Sequence, residues 1–182
     1  MTGTTNALDG KRVAFLVAAE GIEQVELTEP WKAVQQAGGT PTLLSPESGQ
    51  VQAFHHLDKA DTFDVDQRVA DADPDGFDAL VLPGGVANPD ALRTDEAAVG
   101  FVRTMCQSGK PVAAICHAAW SLVEAGVLEG RTVTSWPSLQ TDVRNAGATW
   151  VDEEVVVDGN LITSRKPDDL KAFNAALVDA LS

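Results

Sequence analysis

Tyrosine is absent from the 182 residues, and cysteine (two), methionine (two) and histidine (three) are scarce. Each shortage removes a class of chemistry. Without tyrosine, no phenol can serve as an acid or base. His55 and His56 lack the helical i,i+4 spacing of a zinc pair and have no cysteine companions, so no metal site is predicted. Two cysteines cannot build a disulfide framework, and a chain of this length buries enough surface to need none. There is no charged-then-apolar leader and no apolar run long enough to cross a bilayer, which predicts a cytoplasmic protein from a reducing compartment. Basic side chains are also few, 13 against 27 acidic, for a net charge of −14. That charge repels phosphate backbones and anionic lipid surfaces, so neither nucleic acid nor membrane is an expected partner. Its plain role is solubility.

What is present is a regular alternation of apolar, β-branched runs with helical patterns, the signature of an α/β fold with a mostly parallel sheet covered by helices on both faces. Strands are predicted at 12–18, 40–44, 79–82, 111–115 and 132–135. Two more flank the Asp158-Gly159-Asn160 turn, because Asp-Gly is a strong hairpin signal. Helices are predicted at 23–37, 97–108, 118–125, 139–146 and 167–181, the last with Leu170, Phe173, Leu177 and Leu181 on one face. Residues 50–65 fit either a small hairpin or an irregular excursion. No internal repeat or linker divides the chain, so residues 1–182 are read as one domain.

In such sheets, sites form beyond the carboxyl ends of the strands, and three features fall there. The first is Cys116, where an apolar strand turns sharply into a helix, with Ala114 and Ala118 two residues to either side allowing close approach. A thiol at a helix N-terminus faces unpaired amides and the positive dipole end, which predicts a reactive, readily ionised cysteine. Cys106, inside a helix and spaced from Val102 as a core residue would be, is assigned to packing. The second feature is Glu23 and Glu26, on the apolar side of the predicted first helix. Two readings stand open: a buried carboxyl with a raised pKa that donates to the sulfur or shuttles a proton, or ordinary acidic residues complementing a helix start. Pro30 could shift the register beyond it. The third is Leu82-Pro83-Gly84-Gly85, whose glycine amides could face a developing oxyanion or could form an ordinary turn. His117 directly follows Cys116. Its amide is well placed as an oxyanion donor, whereas its ring need not touch the sulfur.

With Cys116-His117 after a buried strand, Glu23-Gln24-Val25-Glu26-Leu27 after the first strand and Leu82-Pro83-Gly84-Gly85 between them, the chain resembles the PfpI family of intracellular proteases and general stress proteins. Ala125-Gly126-Val127-Leu128, Asn145-Ala146-Gly147-Ala148 and Thr163-Ser164-Arg165 with Pro167-Asp168-Asp169-Leu170 extend the likeness over nearly the whole sequence. The resemblance implies a flavodoxin-like three-layer sandwich of the class I glutamine amidotransferase-like type. It also implies a homodimer or higher homo-oligomer, and a cysteine nucleophile hydrogen-bonded by the glutamate that corresponds to Glu26, with Glu23 in the same pocket. Some members complete a triad with the histidine and an acid from a neighbouring subunit. The loosely matching position here is Asp90, in a stretch one residue longer than usual and with Asp in place of Glu. Where the family continues Cys-His with Gly-Pro, this chain has Ala118-Ala119-Trp120, and Trp120 is expected to narrow the pocket mouth against peptides.

The function expected is therefore that of a stress-response cysteine hydrolase. Cys116 attacks a carbonyl carbon, Gly84, Gly85 and the His117 amide surround the oxyanion, and Glu26 moves protons. A peptide bond or a glyoxal-type small carbonyl compound, including a glycation adduct, would be the substrate. The alternative is a non-proteolytic redox sensor or stress-protection protein working through oxidation of Cys116. No cofactor is expected: the loop after the first strand does not cradle phosphate, and Glu20 and Glu23 would repel a flavin's.

Overall fold

The computed structural model describes residues 6–182. Strand β1 (Arg12–Leu16) lies inside the main sheet, and its buried side chains alternate strictly between two cores. Val13 and Phe15 enter one, while Ala14 and Leu16 enter the other, as the period of two in a strand buried on both faces requires. After β1 come β2 (Glu20–Glu23), helix α1 (Gln24–Gln36), β3 (Thr40–Ser45), the hairpin β4 (Gln50–His55) and β5 (Asp58–Asp64), and short β6 (Gln67–Arg68). Then follow β7 (Ala79–Leu82), α2 (Ala87–Leu92), α3 (Glu96–Gln107), β8 (Val112–Ile115) and α4 (Ala119–Ala125). The chain ends with β9 (Thr132–Val133), α5 (Gln140–Asn145), β10 (Thr149–Trp150), β11 (Val156–Asp158), β12 (Leu161–Ser164) and α6 (Leu170–Leu181).

Seven strands form the main sheet in the order β11-β12-β8-β7-β1-β3-β6, all parallel except β11 against β12. Within it β3-β1-β7-β8-β12 is the 2-1-3-4-5 order of flavodoxin-like sheets. Helices α1 and α6 cover one face, where Leu27, Val34, Phe173 and Leu177 meet Phe15, Val81 and Ile115. Helices α3 and α4 cover the other, where Phe101, Met105 and Leu122 meet Leu16, Leu80 and Val112. The order reverses between β1 and β7, and the loops leaving their carboxyl ends diverge there to open a crevice.

Two open points are settled and one local expectation changes. Residues 50–65 form the hairpin, which joins β2 in a separate three-stranded sheet, β2-β4-β5. The predicted strand at 132–135 shrinks to β9, paired only with β10 outside the main sheet. Thr134 instead donates its amide to Thr163 Oγ1 at 3.0 Å, and Trp136 donates its own to the Cys116 carbonyl at 3.2 Å. Pro30 does not break α1, which runs through it and buries Glu26, Leu27, Pro30 and Val34. A proline removes one amide, but a ring packed in the core keeps the helix in register.

Candidate active site

Three strand ends bring the predicted residues to one place. At the end of β8 the backbone leaves Ile115 in extended conformation and turns at Cys116 with φ +64°. Among the described residues only His56 shares a positive φ without being glycine. Holding a side chain there costs on the order of 1–3 kcal/mol, and such strain persists where the surroundings enforce it. Here the neighbours enforce it tightly. A β-carbon on Gly84 would stand 2.7 Å from both Cys116 Cβ and the Ile115 carbonyl and 2.9 Å from Glu26 Oε1, so only glycine lets the β7 loop lie against the elbow. Gly85, at φ +85°, is pressed in the same way against the Gly21 carbonyl.

Asn88 holds that loop from below. Its side chain is fully buried, donates to the Pro83 and Gly84 carbonyls at 2.9 and 3.0 Å and accepts the Ala18 amide at 2.7 Å, tying the end of β1 to the end of β7. Sequence reading gave Asn88 no role. Its only signal was a polar residue three positions after the glycine pair.

The Cys116 sulfur lies 3.1 Å from His117 Nδ1, so the adjacent ring does reach it. Two tryptophans fix that ring: Trp136 stacks on it with centroids 5.5 Å apart and planes at 24°, and Trp120 meets its edge at 5.3 Å. Trp120 does not line the cavity over Cys116. Its indole is drawn away by a 3.0 Å hydrogen bond to Asp142, and Trp136 takes the position at the wall. Asp90 is exposed on α2, and its side chain makes no hydrogen bond or ion pair among the described residues, so within one chain it does not orient His117.

Of the two readings of the acidic pair, burial holds for Glu26, whose side chain is 0% exposed on the core face of α1. Neither carboxyl oxygen has a partner at full hydrogen-bonding geometry, although the Gly85 amide and the Cys116 thiol both bear on it. Burial, with the nearby charge of Glu23, raises its pKa from 4.5 to about 8, against the weaker pull of Gly85 and Cys116. At neutral pH Glu26 is therefore an acid with a proton to give. Glu23 is half-buried at the wall of the cavity over Cys116, where its Oε2 accepts the His56 amide at 3.0 Å and so latches the tip of the β4–β5 hairpin.

Cys116 departs from expectation. Burial pushes its thiol up, and the neighbouring carboxyls add to the push, outweighing the amides of His117 and Gly85 that converge on the sulfur. The residue is 6% exposed, and the helix behind it, α4, is too short to offset that desolvation. Protonation of Glu26 removes one of the upward pushes. Burial lowers the pKa of His117, which leaves the imidazole neutral and able to take the thiol proton. The arrangement is a thiol activated by a neighbouring base on demand. Cys106, packed in the core and pushed up by burial to about 12, has no such neighbours.

Above the sulfur lies a cavity of about 340 Å³ whose walls include Phe54, His56, Leu57, Val86, Trp136 and Pro167. Phe54, His56 and Leu57 come from the hairpin that sequence left undecided. No group of three or more His, Cys, Asp or Glu among the described residues is arranged to hold a metal ion, and no described helix is long and apolar enough to cross a membrane.

Known proteins share this arrangement of chain. The sequence is 43% identical over 167 residues to deglycase TK1284 of Thermococcus kodakarensis, covering 92% of this chain and 98% of that one. It is 43% identical over 170 residues to deglycase PfpI of Pyrococcus furiosus, covering 93% and 99%. The fold superposes with a TM-score of 0.88 and 35% identity on a two-domain protein of Anabaena variabilis with DJ-1/ThiJ/PfpI-like and ferritin-like domains, covering 94% of this chain and 48% of that one. Residues 11–180 match the DJ-1/PfpI family, and the chain belongs to it.

Proposed function

We propose that this protein is a PfpI-type cysteine hydrolase of the deglycase kind, acting on small reactive carbonyl compounds and their early adducts. The observation that carries the reading is the sulfur of a strained Cys116 set 3.1 Å from a neutral imidazole, beside a buried carboxyl that keeps its proton. The names of the relatives support the same choice.

With a 2-oxoaldehyde, Cys116 adds to the aldehyde carbon. A C–S bond forms, and the thiol proton passes through His117 Nδ1 to the former carbonyl oxygen, which the amides of Gly85 and His117 steady while it carries charge. The protonated Glu26 then gives its proton to the neighbouring carbonyl oxygen while neutral His117 takes the aldehyde-carbon proton. His117 returns that proton to the neighbouring carbon and Glu26 regains one from the hydroxyl beside sulfur, so the hemithioacetal becomes the thioester of a 2-hydroxy acid without an outside oxidant. Water cleaves the C–S bond, releasing the acid and restoring the thiol. Peptide hydrolysis asks more, because the leaving amine needs a proton from a well-oriented histidine, and the one chain supplies no acid to orient His117. Assembly into a homo-oligomer, with Asp90 offered to a neighbouring subunit, would supply one, and Asp90's exposure on α2 leaves it free for that role.

The redox-sensor reading wants a thiolate at rest, and burial of Cys116 argues against it. The test of function is conversion of methylglyoxal to lactate by purified protein, with Cys116→Ala as the comparison. Loss of turnover in the variant supports the reading. Absence of turnover by the wild type with Cys116 fully reduced would sink it.

A further inference from the structure

The cavity over Cys116 contains charge of only one sign. Its polar walls are the carboxyl groups of Glu23 and Glu26 and the two histidines, its apolar walls include Phe54, Leu57, Val86 and Trp136, and no lysine or arginine lines it. The two cations that precede Pro167 in the chain, Arg165 and Lys166, face carboxylates elsewhere. Arg165 bonds Asp169 at 2.9 Å and Asp152 at 2.7 Å, and Lys166 lies 3.9 Å from Asp168. The Glu23 carboxylate has no cationic partner among the described residues, and the one hydrogen bond it accepts comes from the His56 amide. An amide donor satisfies an oxygen without cancelling its charge. The β5 strand of the same hairpin adds Asp58, Asp61 and Asp64 against the single Lys59.

We propose that this site admits neutral or cationic carbonyl compounds and turns away those carrying a carboxylate or phosphate, with Glu23 as the residue that sets the preference. The inference rests on Cys116 being the reacting atom. It also gives the charge a use in turnover. A neutral 2-oxoaldehyde leaves as a 2-hydroxy acid anion, and the carboxylate that rejects anionic substrates also drives that product out.

Two measurements separate this inference from the proposed function. The first needs no turnover: the rates at which iodoacetamide (neutral) and iodoacetate (anionic) alkylate Cys116, located by mass spectrometry, are each divided by their rates with a free small thiol. Iodoacetate should be disfavoured by roughly tenfold or more at low salt, the scale of one unscreened charge several ångströms away. Glu23→Gln, which keeps an oxygen for the His56 amide, should close most of that gap, and so should roughly 1 M salt. Equal normalised rates for the two reagents, or a gap unmoved by Glu23→Gln, would overturn the charge preference whatever the enzyme turns over. The second compares kcat/KM for 4,5-dioxopentanoate and its methyl ester, which present the same 2-oxoaldehyde with and without an anion. The ester should lead by roughly tenfold. A lead for the acid would contradict the inference while leaving the hydrolase reading intact. Biased alkylation without turnover of either compound would remove the hydrolase reading and keep the charge preference.

Discussion

A methyl group on Gly84 would have to occupy space already held by Cys116 Cβ and by the backbone oxygen of Ile115, and backbone cannot move aside as a flexible side chain can. Gly84→Ala should therefore shift the elbow or the β7 loop, cost roughly 2–4 kcal/mol of stability, and abolish turnover even where the protein still folds. Thermal unfolding and methylglyoxal turnover on the same preparation check both parts. Glu26 makes a second residue-scale prediction. A carboxyl whose pKa lies at about 8 gives up its proton as the pH rises through that value, so steps that need the acid form fail on the alkaline side. The kcat profile should carry an alkaline limb near pH 8. Glu26→Gln should lower kcat by roughly 100-fold or more and remove that limb from the residual activity. The sequence placed Cys116, Glu26 and Gly84 together because each follows an apolar run at a strand end. It overestimated the ease of ionising Cys116, because the helix start was visible in the sequence whereas the depth of burial and the two carboxyls around the sulfur depend on packing.

Among the elements, the β4–β5 hairpin does most to shape the cavity and was the least legible. Its β2 neighbour, Glu-Gly-Ile-Glu, has one apolar residue in four and shows no alternation, so only pairing with β4 makes it a strand. The hairpin tip depends on Glu23, which stands at the N-cap of α1 but does not cap it and reaches instead to the His56 amide. Glu23→Ala removes that acceptor. Amide exchange at residues 55–57 should then speed up by roughly tenfold, with little change in the main-sheet strands. The β9 segment misled for a related reason: Thr-Val-Thr-Ser reads as a strand, but Thr134 and Ser135 are taken up in holding the loop that brings Trp136 onto His117. Asn88 performs the matching task between β1 and β7. Asn88→Ala leaves the Ala18 amide and two loop carbonyls without their partner and should destabilise the protein by roughly 2–4 kcal/mol, measurable by denaturant unfolding.

Across the whole molecule, the mostly parallel sheet covered on both faces was readable from the apolar runs alternating with helical patterns, because a strand buried on both faces must be apolar on both, whereas the order of the strands was not. The buried acid leaves a mark on global stability. Folded protein holds the Glu26 proton up to about pH 8, while the unfolded chain releases it near 4.5. Between those values the folded state binds more protons, so the contribution of this group to stability falls as the pH rises through the window and levels off above it. The full span corresponds to something on the order of 4–5 kcal/mol, and Glu26→Gln should flatten the wild-type slope. The central claim is that one sulfur atom performs the chemistry. The most direct measurement titrates iodoacetamide against the protein and follows methylglyoxal turnover alongside the labelled fraction of each cysteine. The account predicts that activity falls in proportion to labelling of Cys116 while Cys106 stays unmodified, and activity that survives complete labelling of Cys116 would contradict it.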